Sequence, residues 1–329
     1  MNKEKNIIKN FFPEKGSWYK GNLHSHSTNS DGHLTPSEMV SLYKNNGYSF
    51  LCLSEHDYYT DLRREFDTGN FILLPGLEAS VKLLDDNGRL IKTHHIHGIL
   101  GNHKMCDEAG SNLFKDGERL IVPVYHADNW HGITAAQDMI DFLRSKGCFT
   151  TYNHPLWSRV NPDEVISLQG LWGIEIYNHG AELGFEEGHT TFFWENMLKC
   201  GNIIHAFASD DNHNPPAYSD SFGGYVCVCS EVLDHEAIVN HLLAGDYYSS
   251  QGPEILQWGL AGDSVFVECS PCSKICFIAD GPIYNSRMQL MQTEPLTHAE
   301  HLLNGTETYI RVECIDEKGR IAWTNAIRL

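Results

Sequence analysis

The chain has 329 residues, 41% of them hydrophobic, which is enough for a buried core and fits about two domains. Its formal net charge is −19, from 24 Lys and Arg against 43 Asp and Glu, so nucleic acid is not expected as a partner, because that binding needs clustered cations. No segment approaches the apolar length that a membrane span needs, and residues 1–16 hold no signal-peptide core. The expectation is a soluble, cytoplasmic protein with no membrane partner and with its 10 cysteines reduced.

Residues 17–23 predict a strand that empties into His24-Ser25-His26, followed by a polar turn ending in Asp31-Gly32. Residues two apart on a strand share a face, so His24 and His26 present two imidazoles together, with the Asp31 carboxylate five residues on. Neutral imidazole and carboxylate both suit Zn²⁺, Mn²⁺ or Fe²⁺. A lone His-x-His is more often a pair of solvated loop histidines. What weighs against that here is the clustering of the 19 histidines, several of which, with acidic residues, recur at the ends of later strands.

Thr35-Pro36-Ser37-Glu38 has the form of a capping box and starts a helix that Gly47 stops. Residues 48–54 form an apolar run suited to a buried strand, which delivers Glu55-His56-Asp57. Residues 71–74 repeat the pattern and lead through a Pro75-Gly76 turn to Glu78. An Asp85-Asp86-Asn87-Gly88 turn precedes a strand whose alternation sets His95 and His97 on one face and His94 on the other. A helix over 134–146 precedes a strand over 148–153 ending in His154, and a short helix follows Asn161-Pro162. A strand over 172–177 ends in Asn178-His179, a helix spans 190–200, and a strand over 203–208 ends in Ser209-Asp210-Asp211-Asn212-His213. Strand and helix in alternation read as an α/β domain with parallel strands, whose active sites gather at strand C-terminal ends.

A helix over 231–244 closes this series, and strand-like runs over 264–269, 274–278, 309–315 and 321–328 follow. Residues 280–305 carry no clear pattern. The break falls at Gly252-Pro253, giving residues 1–252 and a β-rich unit over 253–329. Every candidate ligand precedes it, so a chain cut after about Ser250 is expected to keep its metals. Cys269 and Cys272, with Cys276 beyond, have ligand spacing, but no second pair follows and a structural zinc site is not expected.

Together, His24-x-His26 with Ser30-Asp31-Gly32, His56 after the second strand, Pro75-Gly76-x-Glu78, His154-Pro155 and Asp211-x-His213 resemble the PHP family, named for polymerase and histidinol phosphatase domains. The resemblance covers residues 22–213 in the family's order. It implies a distorted (β/α)7-type barrel holding two or three divalent ions, and a metal-dependent phosphoesterase. The last strands resemble the β-sandwich appended to some members. Carried over, His24 and His26 would hold a first metal with either Asp210 or Asp211. Glu78 would bridge to a second, held by His154 and by His95 in preference to His97, and Asp31, His56 and His213 would hold a third. Glu55 stands where an Asp is commoner before the motif's histidine.

A hydroxide bridging two such ions is nucleophilic near neutral pH, because they lower the pKa of bound water towards about 7. A small phosphorylated substrate would also have its charge offset by the ions, despite the acidic chain. Arg159, and behind it Arg63 and Arg64, are candidates to contact phosphate, and His179 and His126 to protonate a leaving group, although surface or supporting roles are the commoner fate of such residues. The alternatives are a carbamate, ester or amide hydrolase using the same metals, and a binding module without catalysis. No motif position has become apolar, which argues against the module.

Overall fold

The computed structural model describes residues 8–329. Two sheets organise the chain, a large mixed one and a smaller antiparallel one of four strands. The large sheet contains the seven strands that position the site: β1 (Ser17–Asn22), β2 (Phe50–Leu53), β3 (Ile72–Leu84), β4 (Leu90–Leu100), β5 (Cys148–Tyr152), β6 (Gly173–Asn178) and β7 (His205–Ser209). They are hydrogen-bonded in that order, β1 to β3 parallel, β4 antiparallel to both its neighbours, and β5 to β7 parallel. Past their ends, β1 and β7 meet again, through Asp211 N donating to His24 O at 2.9 Å and His26 N donating to Asn212 O at 3.1 Å. Six strands therefore point the same way, with their C-terminal ends around one centre.

The antiparallel β4 departs from the parallel alternation read in the sequence. Its cause is local: the turn at Asp85-Gly88 joins β3 to β4 directly, and a connection that short can only reverse the chain. A second departure is at Pro75-Gly76, which is no turn. β3 runs straight through it, and Glu78 lies inside the strand. Pro75 is tolerated because it faces Leu53, the last residue of β2, where the parallel ladder ends.

The strands' interior residues pack below the site. Phe50, Ile72, Ile99, Phe149 and Phe207, from five of the strands, share one apolar cluster with Ile238 and Leu242 of the helix His235–Ala244, which closes that end. Outside, the helices Gly132–Ser145 and Thr191–Lys199 bury Ile140, Leu143, Trp194 and Met197 in a second cluster. The capping box is present, with Glu38 N donating to Thr35 Oγ1 and the Glu38 carboxylate accepting from Thr35 N, so the helix Pro36–Asn45 begins where its sequence says. Short helices at His103–Ala109 and His179–Phe185 and the strand Val124–His126 add to the elements expected from the sequence. Among the described residues no helix is long and apolar enough to cross a membrane, and all ten cysteines are free thiols.

The β-rich end is joined to the rest by sheet. The strand Ile321–Thr324 pairs with Tyr247–Ser250, and Ile8–Asn10 pairs with Ile255–Ala261 in the small sheet. Strands Arg287–Leu290 and Leu296–Leu302 lie within the stretch that had no readable pattern. Trp323 is fully buried against the helical cluster, its ring 6.2 Å from Tyr177, and the Asn325 side chain caps Ala206 N of β7. Cutting the chain after Ser250 removes these partners, and loss of one buried Trp side chain alone costs about 3–5 kcal/mol. The truncated chain is expected to lose its cooperative thermal transition in circular dichroism and, with it, its metals. A sharp transition with full metal content would show that the first 250 residues fold alone.

Candidate metal centre

The centre is built past the C-terminal ends of β1, β2, β5 and β7, with Glu78 and His95 reaching it from within β3 and β4. His24 and His26 follow β1, and the intervening Ser25 fixes the segment by donating its hydroxyl to Cys52 O at 2.6 Å. Glu55, fully buried after β2, accepts from Ser27 N and from Ser30 Oγ, so it folds the turn that carries Asp31. Gly32 closes that turn where a Cβ would lie 2.4 Å from His26 O. His154 and Asp211 hold φ of 24° and 50°, a costly backbone for non-glycine residues of the kind that collects at functional sites.

Four overlapping groups of side chains can each hold a metal ion: His24, His26, Glu78 and Asp211; His56, Glu78 and His95; His26, Asp31, His56 and His213; and His24, His154 and Glu175. Asp211 Oδ1 lies 2.9 Å from His24 Nε2 and 3.0 Å from His26 Nε2. Glu78 is shared most widely. Its Oε1 is 3.1 Å from His154 Nε2, 3.2 Å from His95 Nδ1 and 3.4 Å from His24 Nε2, and its Oε2 is 3.1 Å from His56 Nδ1. Asp31 spans the outer side, 3.4 Å from His213 and 3.6 Å from His56, with 56% of its side chain exposed.

These contacts are mostly not hydrogen bonds. Glu78 Oε2 and the Nδ1 atoms of His56 and His95 are buried without a hydrogen-bonding partner although each nitrogen lies 3.1 to 3.2 Å from a Glu78 oxygen. Buried polar atoms are rarely left so, and a bound ion is one of the partners that satisfies them. The electrostatics agree. Burial disfavours a charged His24, yet Asp211, Glu78 and Glu175 hold its pKa well above the ordinary value. Burial, followed by His56 and His213, pushes His26 down to about 3, so that ring is neutral. Burial would raise Glu78, but His95 and His24 hold it well below the carboxylate range. The carboxylates outweigh burial at His24, and likewise raise His56, His154 and His213, so the buried set carries an excess of negative charge that divalent metal ions would offset.

Supporting residues orient this set. Glu175, mid-strand in β6 and fully buried, accepts from His24 Nδ1 at 2.9 Å and so turns Nε2 inward. It also accepts from His154 N and Asn178 Nδ2, while Asn178 donates to Asp211 and Asn153 donates to Glu78 Oε1. The sequence carried one signal for Glu175: a lone carboxylate in an otherwise apolar run.

Of the residues singled out in the sequence, the structure brings His24, His26, Asp31, His56, Glu78, His95, His154, Asp211 and His213 together. Asp210 is turned away: its oxygens accept from Tyr43 Oη at 2.6 Å and from the backbone N of Phe222, Gly223 and Gly224. His97 is buried beside His24, ring centroids 4.2 Å apart, and is outside the four groups, whereas His94 stacks on Trp130. His179 also lies outside the groups, its Nδ1 bonded to Tyr177 Oη, and His126 is exposed on its short strand. Arg159 is engaged by Glu187. Arg63 pairs with Asp61 and shares a separate charged pocket with Arg64.

No family model matches the chain, and no curated protein matches it. Among solved structures it is similar to a two-domain protein from Bacteroides vulgatus ATCC 8482 containing a predicted PHP-like metal-dependent phosphoesterase, at 13% identity over 99% of this chain and 100% of that one, with a TM-score of 0.45. It is also similar to an amidohydrolase from Chromobacterium violaceum with bound sulfate, at 17% identity over 69% of this chain and 96% of that one, with a TM-score of 0.39.

Proposed function

We propose that the chain is a metal-dependent hydrolase, and specifically a phosphoesterase acting on a small phosphorylated substrate. The observation that carries this reading is the set of unpartnered, buried ligand atoms converging around Glu78. The motif order read in the sequence supports it. So does the ring of seven strands meeting at His24 and Asp211, which we read as a distorted barrel.

In this reading His24, His26 and Asp211 would hold one ion, His95 and His154 a second, with Glu78 offering an oxygen to each, and Asp31, His56 and His213 would hold a third. Bound divalent ions of this kind supply activation of water and compensation of charge on phosphoryl oxygens. The protein's own part is to hold the ligands still. Glu175 fixes the His24 ring, Asn178 and Asn153 aim Asp211 and Glu78, and burial keeps competing water from most of the set. Asp31, half-exposed, marks the side open to substrate. Arg159 would reach a phosphate only by leaving Glu187.

One observation favours the second reading, a carbamate, ester or amide hydrolase: the pocket beside the centre is lined by no Lys or Arg. Elemental analysis of purified protein, followed by Mn²⁺- or Zn²⁺-loaded assays on p-nitrophenyl phosphate, a phosphodiester and p-nitrophenyl acetate, separates the two. The expected result is two or three ions per chain and faster turnover of a phosphate ester. Preferential cleavage of the carboxyl ester would select the second reading, and a chain that binds no metal would end both.

A further inference from the structure

We infer that the centre is flanked by a subsite for an uncharged aromatic ring, carried by the non-reacting end of the substrate and gripped by Trp157, Phe185 and Tyr218. This rests on the hydrolase reading and names part of the substrate it would act on. A cavity of about 210 Å³ opens beside the centre, lined by Asp211 and His213 together with Trp157, Phe185, Pro215 and Tyr218. About 150 Å³ of apolar cavity suffices for a benzene ring. The space is therefore large enough for one ring and continuous with the ligands.

The aromatic wall is tied to the centre itself. The Trp157 ring stands edge-on to His154 at 5.0 Å and tilted against His95 at 5.6 Å, and reaches Phe185 at 6.4 Å. Phe185 and Tyr218 are 60% and 49% exposed, and Tyr218 Oη lies near the position a Cβ on Gly184 would take, so the two side chains come from facing segments. Large aromatic side chains left in water beside a polar centre gain by covering a ligand. Charge selects what they cover. The lining has no Lys or Arg, and Arg159 is occupied by Glu187. The Asp220 carboxylate accepts from the backbone N of His213 and Asn214, so it is spent on holding that loop. Nothing in the cavity recognises a second anionic group, and its walls suit the face and edge of a ring.

The test is calorimetric binding of methylphosphonate and phenylphosphonate, and of acetate and phenylacetate, to the full Mn²⁺-loaded chain and to its Phe185→Ala/Tyr218→Ala variant. Both substituted side chains are exposed, and thermal unfolding checks that the variant stays folded. In the wild-type chain phenylphosphonate is expected to bind roughly 10-fold tighter than methylphosphonate. The ratio should fall below about 3 in the variant while methylphosphonate affinity is unchanged. If neither phosphonate binds, the phosphoester reading fails, and the acetate pair reads the ring subsite by the same ratio. A ratio near one in whichever pair binds, or a full ratio kept by the variant, overturns the aromatic subsite, and binding of none of the four overturns both.

Discussion

Glu78→Gln is expected to cost the protein at least one metal ion per chain and to lower turnover by more than ~100-fold, since loss even of groups that merely orient ligands costs 10–100-fold. The residue touches more of the candidate ligands than any other: both its oxygens lie within 3.6 Å of centre histidines. The amide keeps the size and one oxygen but removes the charge, and its NH₂ would be pressed against ring nitrogens. Folding should survive, because the backbone of Glu78 is locked in β3, donating to Glu55 O and accepting from Asp57 N. Metal content by elemental analysis and turnover at saturating Mn²⁺ check this, with thermal unfolding as the control. Wild-type stoichiometry and a near-normal rate would place the shared ligand elsewhere and dissolve the proposed assignment.

What could be read in the sequence divides along the range of the interactions involved. The helix starting at Pro36 was legible because its cap is decided within four residues, and β2, β5 and β7 were legible because a short apolar run between polar ends has few other solutions. Glu78 was found but misplaced in its setting. A Pro-Gly pair reads locally as a turn, and only the end of β2 opposite Pro75 shows why the strand continues. Glu175 was missed, because a carboxylate in a strand gains its meaning from His24, 151 residues away. Strands such as Arg287–Leu290 lie at the margin of the sheet with mostly exposed side chains, so they carry little of the alternation that burial imposes.

The neighbouring carboxylates Asp210 and Asp211 show the same limit most sharply, and they give the second large effect. Within the run Ser209-Asp210-Asp211-Asn212-His213 the spacing to His213 favours Asp211 and adjacency to the strand end favours Asp210; what separates them is where the chain sends each side chain. Asp211 takes the left-handed backbone, φ 50°, and points at His24 and His26. Asp210 points into the fold, where Tyr43 Oη and three backbone N–H groups, at 2.6 to 2.9 Å, donate to it. Burial pushes its pKa up to about 6, and those donors act against the rise. The two substitutions should therefore fail in different ways. Asp211→Asn is expected to leave the melting temperature of the metal-free chain within a few degrees of wild type, but to weaken metal binding by more than ~100-fold, because the proposed ligand loses its charge where His24 and His26 both face it. Asp210→Asn turns an NH₂ toward at least one backbone N–H, which can only donate, since such groups face both oxygens of Asp210, and a buried clash and an unpaired donor of this kind cost about 1–3 kcal/mol each. That variant should melt well below wild type, yet bind the full complement of metal at low temperature. Calorimetric unfolding and metal titration of both variants check the pair. Should Asp210→Asn lose metal while remaining as stable as wild type, the first metal would have to be held from the other carboxylate.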